Sequence, residues 1–360
     1  MSAVSGSLTR GQALLASAGR VYGVRVVVRY GARRFLRDAS LVAYLACLLW
    51  VITMAKPDLI DPTHIGTDTS NYYAAGLRLD AGHPLYAQGP GDRPVPIEPP
   101  YFTVPLLSPP FIAVVWRVLA LLPGGPVMAA WAFGGLLLLS ATVVVMAIRG
   151  SALRNLVILL LAPWLALTAW SGNVNCYLVP MVVLAWTASQ RGHGATSGAL
   201  IAVATAIKLT PVVYLAWILA RRDRPGLIGF AATGAACLAI SLVGAGMGAH
   251  LDYLSVMRDT GTAGVTPLSL PGILIDAGLP NGLAVLAIPA YVVLGVLAIV
   301  QLHRLPGPAF SAATLASTFA APALGYHSLP LLLPGVAPYP AETSQDVPAE
   351  TPAGGVPVPL

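Results

Sequence analysis

Long apolar runs separated by short polar punctuation fill this chain, at about residues 41–55, 104–122, 126–148, 153–171, 176–189, 226–246, 283–302 and 308–334. Several approach the roughly 20 residues that carry an α-helix across a bilayer core. A ninth run, 195–220, contains Pro211, which withholds a backbone donor and breaks the helix. The pattern predicts an all-α, polytopic transmembrane protein of about eight to ten membrane helices, some of them broken or re-entrant.

The polar punctuation orders these runs in a membrane. Residues 1–38 form a basic arm carrying Arg10, Arg20, Arg25, Arg29, Arg33, Arg34 and Arg37, and the positive-inside rule makes that arm cytoplasmic. The first apolar run begins near Ser40 and is followed by Lys56 and Pro57 rather than by small residues. It therefore reads as an anchor and not a cleaved signal. Arg149 with Arg154, Arg191, the group Arg221, Arg222 and Arg224, and His303 with Arg304 also favour the cytoplasm, and strict alternation of spans cannot place them all there. They fit together if 195–220 is a re-entrant pair of half-helices and one of 104–122 or 126–148 does not cross fully. The loop around Asp68, the turn Trp170 to Asn175, the stretch 247–282 and the end near His327 then share the outer face. The resulting division is a cytoplasmic arm at 1–38, a membrane domain at 39–335 with an outer loop at 56–103, and a Pro-rich, disordered tail at 336–360.

Composition removes the soluble alternative. The chain is 56% hydrophobic and only 9% charged, against about 25% charged in an ordinary soluble domain. Its net charge of +6 sits largely in the arm, with no aromatic interleaving or fold signature to suggest a nucleic-acid partner. Cys47, Cys176 and Cys237 lie in or beside apolar runs without paired spacing and read as packing residues. No Asp-X-Asp pair and no His/Cys/carboxylate cluster with ligand spacing is present, so neither a metal nor another cofactor is expected.

The chemistry concentrates in the outer loop, which holds Asp58, Asp61, Asp68, Asp80, Asp92 and Glu98. Within it Thr69 to Asp80 can form a short amphipathic helix along the membrane surface, with Tyr72, Tyr73, Gly76, Leu77 and Leu79 on its apolar side. Asp68 stands at its start, an acid placed to meet a lipid headgroup.

Six stretches in order carry a resemblance: Asp68 to Tyr73, Ala81-Gly82-His83-Pro84-Leu85-Tyr86, Pro99-Pro100-Tyr101 with Pro105, Pro109 and Pro110, Gly172-Asn173-Val174-Asn175, Lys208-Leu209-Thr210-Pro211, and Tyr326-His327. Through them the membrane domain resembles the polyprenol-phosphate-sugar-dependent glycosyltransferases of the C-type fold, specifically glycosyltransferase family 87. In that fold the first outer loop supplies an acidic general base, and Asp68 is the matching position. The resemblance implies sugar transfer from a lipid phosphate carrier, on the outer face of the plasma membrane, to an acceptor hydroxyl, and the Ala, Gly and Pro richness fits a bacterium. After Leu333 the chain turns Pro-rich where relatives often continue as helix, a departure at the C-terminal side of the donor site.

The residue chemistry agrees with this. A carboxylate can take the acceptor proton while a lipid phosphate leaves from the opposite face, so one carboxylate suffices for a single inverting displacement. Each candidate also has a plainer role. Asp68 is also an N-cap. Tyr72 and Tyr73 meet the sugar or anchor the interface. Arg78 pairs with a phosphate or snorkels to headgroups, and His83 with Pro84 shapes a turn. Asn173 and Asn175 bond sugar hydroxyls or cap the next helix. Lys208, a lone charge deep in an apolar stretch, meets the donor phosphate or pairs with Asp252 or Asp276. His327 helps bind the phosphate or orient Asp68, or is an interfacial histidine.

The leading expectation is a hexosyltransferase, with mannose first, that uses a polyprenyl-phosphate-linked donor and a glycolipid or cell-envelope glycan acceptor among membrane lipids. An arabinofuranosyl donor is the alternative within the class. A lipid or sugar transporter is the alternative outside it, and would place its polar residues on half-helices at the midplane rather than in outer loops and helix ends. A non-enzymatic scaffold would leave the acidic loop without a purpose.

Overall fold

The computed structural model describes residues 10–54, 67–86, 106–263, 269–321 and 324–340. Most of the outer loop at 56–103, including Glu98 and Tyr101, and the tail beyond residue 340 lie outside the described residues.

The described chain is helical, with α1 (Arg10–Met54), α2 (Thr67–Asp80), α3 (Pro110–Leu119), α4 (Gly124–Ile148), α5 (Ala152–Ser171), α6 (Asn175–Gln190), α7 (Gly194–Ile207), α8 (Tyr214–Ala220), α9 (Arg224–Ala263), α10 (Leu270–Asp276), α11 (Asn281–Ala284), α12 (Ala287–Gln301) and α13 (Pro306–Phe319). Short 3₁₀ segments follow α7 (Thr210–Val213) and α13 (Tyr326–Val336). Among the described residues, five stretches are long and apolar enough to cross a bilayer: Gly31–Thr53, Gly124–Ile148, Ala152–Ser171, Arg224–Met257 and Asn281–Gln301. Their outward surfaces are apolar, with Leu49, Phe133, Leu160, Val243 and Leu294 all more than half exposed, as a surface facing lipid rather than water allows. The protein is an all-α, multi-pass membrane protein.

Four boundaries differ from the sequence expectation. The run 104–122 contains a described helix of ten residues, about 15 Å long and too short to cross, so this is the partial element of the pair. Pro109 and Pro110 start that helix late. The run 226–246 continues past its expected end: α9 kinks at Gly246 (φ +78°) and stays helical to Ala263. The basic arm and the first span are one continuous helix from Arg10. The run 308–334 is not one span, because α13 ends at Phe319 and the chain resumes as a 3₁₀ segment containing Pro330 and Pro334.

Packing explains the remaining arrangement. Ser40 and Tyr44 of α1 are buried, and bond Asn155 of α5 at 3.3 Å and Ser140 of α4 at 2.8 Å. Helices α7 and α9 touch backbone to backbone. A Cβ on Gly198 would collide with the Gly226 carbonyl oxygen, and one on Gly229 with that of Ala195, so the small residues let the axes close in. Trp186, Tyr214, Trp217 and Phe310 form an aromatic cluster in the core, with Tyr214 donating to Thr314 at 2.8 Å. Arg154, buried near the start of α5, donates through Nε to the Val336 carbonyl at 3.1 Å and through Nη2 to that of Ala337 at 2.6 Å. This satisfies the carbonyls that end the 3₁₀ segment.

Candidate active site

The helix expected from Thr69 to Asp80 forms as α2, two positions longer at its start. Its apolar side packs on α3: Tyr72 and Ala75 are buried, Tyr72 and Tyr73 both meet the Trp116 ring, and a Cβ on Gly76 would lie 2.6 Å from the Trp116 carbonyl. It ends in a Schellman turn, with His83 N–H bonded to the Arg78 carbonyl and Gly82 at φ +71°. Arg117 of α3 pairs with Asp80 at 2.8 Å and also donates to the Gly244 carbonyl of α9 at 3.1 Å.

This docking brings Asp68 to the turn between α5 and α6. Gly172 sits there at φ +63°, the left-handed region, and its carbonyl accepts from Thr69 Oγ1 at 3.3 Å and from Trp131 Nε1 at 3.0 Å. A side chain at Gly172 would collide with Thr69 Oγ1. The glycine is required twice, by its φ and by the approach of α2.

From this turn Asn173 Nδ2 donates to Asp68 Oδ2 at 2.8 Å, while Asn173 Oδ1 accepts from the Asn175 backbone N–H, also at 2.8 Å. The Asn175 side chain, almost fully buried, donates to the His327 carbonyl at 2.6 Å and faces Lys208 Nζ at 3.4 Å. Lys208 Nζ also faces Ser328 Oγ at 3.4 Å. Thr168 adds a bond to the His327 carbonyl at 3.4 Å. Three regions far apart in sequence, at 68, 173–175 and 327–328, thus meet Lys208 in one polar network.

Lys208 owes its position to the break expected near Pro211. The α7 helix stops at Ile207, Lys208 is extended (φ −145°, ψ 126°), and Pro211 opens the 3₁₀ turn beyond it. Its partners are Asn175 and Ser328 rather than Asp252 or Asp276, and it lies within electrostatic reach of Asp68. An ammonium has three N–H donors, and both contacts are longer than the usual 2.7–3.2 Å, so Lys208 retains capacity for an anion. His327 Nδ1 is buried and has no hydrogen-bond partner among the described residues, a second group able to take a ligand. Tyr72 lies within electrostatic reach of Asp68. Its phenol is held well above its ordinary range, first by burial and then by the Asp68 charge, and it remains a neutral hydroxyl.

Two expected site residues point elsewhere. Tyr73 bonds the Leu122 carbonyl at 3.5 Å, and Arg78 donates to the Pro84 carbonyl at 3.1 and 2.6 Å. His83 and Pro84 form the turn that Arg78 braces. Cys176 and Cys237 are buried and all three cysteines are free. Among the described residues no group of three or more His, Cys, Asp or Glu side chains is placed to hold a metal. Sequence reasoning missed Ser328, Thr69, Thr168 and Trp131, whose hydroxyls and indole N–H carry no signal until the fold aligns them.

The class is then a multi-pass helical membrane protein with a carboxylate, two amides and an ammonium gathered at one end of its bundle. The model of glycosyltransferase family 87 matches residues 107–325, about three-fifths of the chain, and the chain belongs to that family. A polyprenol-phosphate-mannose-dependent alpha-(1-2)-phosphatidylinositol pentamannoside mannosyltransferase of Mycolicibacterium smegmatis is 28% identical over 233 residues, 62% of this chain. The chain spans about half of that relative's length, 53%. No solved structure matches. The family match contains Asn173, Asn175 and Lys208 but begins after Asp68 and ends before His327. The hydrogen bonds above are what tie those two residues to it.

Proposed function

We propose that this protein is a membrane glycosyltransferase that moves a hexose, mannose first, from a polyprenyl-phosphate-linked donor to a glycolipid or cell-envelope glycan on the outer face of the plasma membrane. The observation that carries the reading is the Asp68–Asn173 hydrogen bond at 2.8 Å, linked through Asn175 to Lys208. One carboxylate oxygen is held by an amide and the other is left to act. The polyprenol-phosphate-mannose dependence of the Mycolicibacterium smegmatis relative supports the donor class.

In this mechanism Asp68 takes the proton of the acceptor hydroxyl as its oxygen attacks the anomeric carbon. The bond from that carbon to the phosphate oxygen breaks, its electrons stay on the lipid phosphate, and the anomeric configuration inverts. Lys208 meets the donor phosphate as its charge grows, with Ser328 and His327 beside it. Asn173 positions the carboxylate, and no second carboxylate is needed.

The test is transfer of radiolabelled sugar from polyprenyl-phosphate mannose to membrane glycolipid, comparing wild type with Asp68→Asn at matched expression. The amide keeps the size of the side chain and removes the base. Transfer should fall at least about 100-fold, the lower range for a lost general base. Equal transfer by both proteins would remove Asp68 from this role, and no transfer by either would exclude this donor.

A further inference from the structure

The end of the bundle remote from Asp68 holds a cavity of about 650 Å³ lined by Arg221, Arg222 and His303, with Leu219, Val300 and Pro306 forming apolar wall. The separation follows from the helices. Asn175 opens α6 at the Asp68 site, and Ser189, near the other end of α6, accepts from Arg221 Nη1 at 2.7 Å, a span of about 21 Å at 1.5 Å per residue. Likewise α13 runs from Pro306 at the cavity toward the segment that carries His327.

The backbone marks Arg222 as the unusual element. Helix α8 ends in a Schellman motif, with Asp223 N–H bonded to the Ile218 carbonyl and Arg222 N–H to that of Leu219. The same pair of bonds closes three other helices here, and there the left-handed position is Gly82, Gly192 or Gly278. In α8 it is Arg222, at φ +55°, the only non-glycine residue with positive φ among those described. Glycine takes that conformation at least cost, and a side chain pays a conformational penalty to be there. Arg222 is one of the residues that line the cavity. Asp223, the nearby carboxylate, is turned to the Gly226 N–H at 2.9 Å, and no ion pair among the described residues neutralises Arg222 or His303.

We propose that this cavity is a binding site for the headgroup phosphate of an anionic phospholipid, separate from the glycosyl-transfer site. Leu219 and Val300 are 52% and 50% exposed, so the cationic cavity opens directly onto the lipid-facing surface. Acyl chains lie along these residues while the phosphate meets Arg222, Arg221 and His303. A free anion would make no use of that apolar wall. Basic pockets between membrane helices on the positive-inside face take anionic headgroups in this way, and the volume suits a headgroup. The inference does not depend on the reaction proposed for Asp68.

The experiment is native mass spectrometry of the detergent-purified full chain with added phosphatidylglycerol or phosphatidylcholine, for wild type, Arg222→Gly and Arg222→Lys. Wild type should retain phosphatidylglycerol in preference to phosphatidylcholine. Arg222→Gly should lose about fivefold in phosphatidylglycerol affinity, the worth of one cation near a headgroup, while its Tm rises because glycine suits the left-handed position. Arg222→Lys should keep most of the preference, and millimolar inorganic phosphate should not displace the lipid. Undiminished binding by Arg222→Gly, equal retention of the two lipids by wild type, or displacement by inorganic phosphate would each overturn the proposal, the last by making this a free-anion site.

Discussion

Replacing Asn173 by Asp tests the active-site reading through charge rather than through loss of a group. The new carboxylate keeps the acceptor that holds the Asn175 N–H at 2.8 Å, so the cap on α6 survives. The amide donor that faced Asp68 at 2.8 Å becomes a second anion. Two unit charges about 4 Å apart repel by about 4 kcal/mol at an effective dielectric of 20, equivalent to about three pH units at 1.36 kcal/mol each. Asp68 is only half-buried and the pair can share a proton, which lowers the effect to about one to two units. The sign is upward: repulsion favours the protonated pair, so the base form is lost at a higher pH as pH falls. The acid limb of kcat/KM for sugar transfer should therefore move up by about one to two pH units, with the alkaline activity largely kept. Asn173→Ala, which removes the donor without adding charge, should lower kcat and leave the limb closer to that of wild type. An acid limb in Asn173→Asp that superimposes on wild type, in a protein of unchanged Tm, would refute the pairing of Asp68 and Asn173 as base and positioning residue.

Lys208→Met should raise KM for the polyprenyl-phosphate donor by about 10- to 100-fold, the effect of losing a charge-assisted contact worth about 1.5–3 kcal/mol, with Lys208→Arg recovering part of it. Steady-state kinetics over a donor series checks this, and an unchanged KM would detach Lys208 from the phosphate. Gly172→Ala should destabilise the protein by about 1–2 kcal/mol from the left-handed backbone alone, and by more from the collision with Thr69. A lower Tm in detergent is the readout, with transfer falling too as α2 is pushed from the turn. Arg154→Met should leave the Val336 and Ala337 carbonyls without their buried donor, at about 1–3 kcal/mol for each group left unpaired. Limited proteolysis should then cut near residue 336 faster than in wild type.

The sequence made the site residues visible because each is anomalous where it stands. Asp68 follows a span, Asn173 and Asn175 separate two apolar runs, and Lys208 is a lone charge beside a helix-breaking proline. Polar groups near a membrane interior need partners, and here they partner one another. The sequence did not tell which aromatics and cations belong to the group. Tyr72 and Tyr73 are adjacent, and only helical phase and the place of Trp116 bury the first and leave the second to reach the Leu122 carbonyl. Arg78 looked available for a phosphate until the turn at Gly82 brought the Pro84 carbonyl back to it. Ser328 was hidden because a serine at the end of an apolar run is unremarkable. Helix ends were obscured for a related reason: hydropathy is blind to prolines, so 308–334 read as one run although Pro330 and Pro334 argued otherwise, and nothing in the hydropathy of 104–122 and 126–148 told which of the two is partial until Pro109 and Pro110 were seen to start α3 late.

The two attachments of the 3₁₀ segment to α5 act together as a ruler. Thr168 takes hold of it at His327 and Arg154 at Val336 and Ala337, and these two α5 residues are separated by about 21 Å of helix rise. The nine steps from His327 to Val336 cover about 18 Å at the 3₁₀ rise of 2.0 Å per residue, but only about 14 Å if wound as an α-helix. The stretched winding is what lets one short segment reach both fixings. Removing a single residue between them would draw one end along α5 by about 2 Å, a distance comparable to the difference between Lys208 touching Ser328 and missing it.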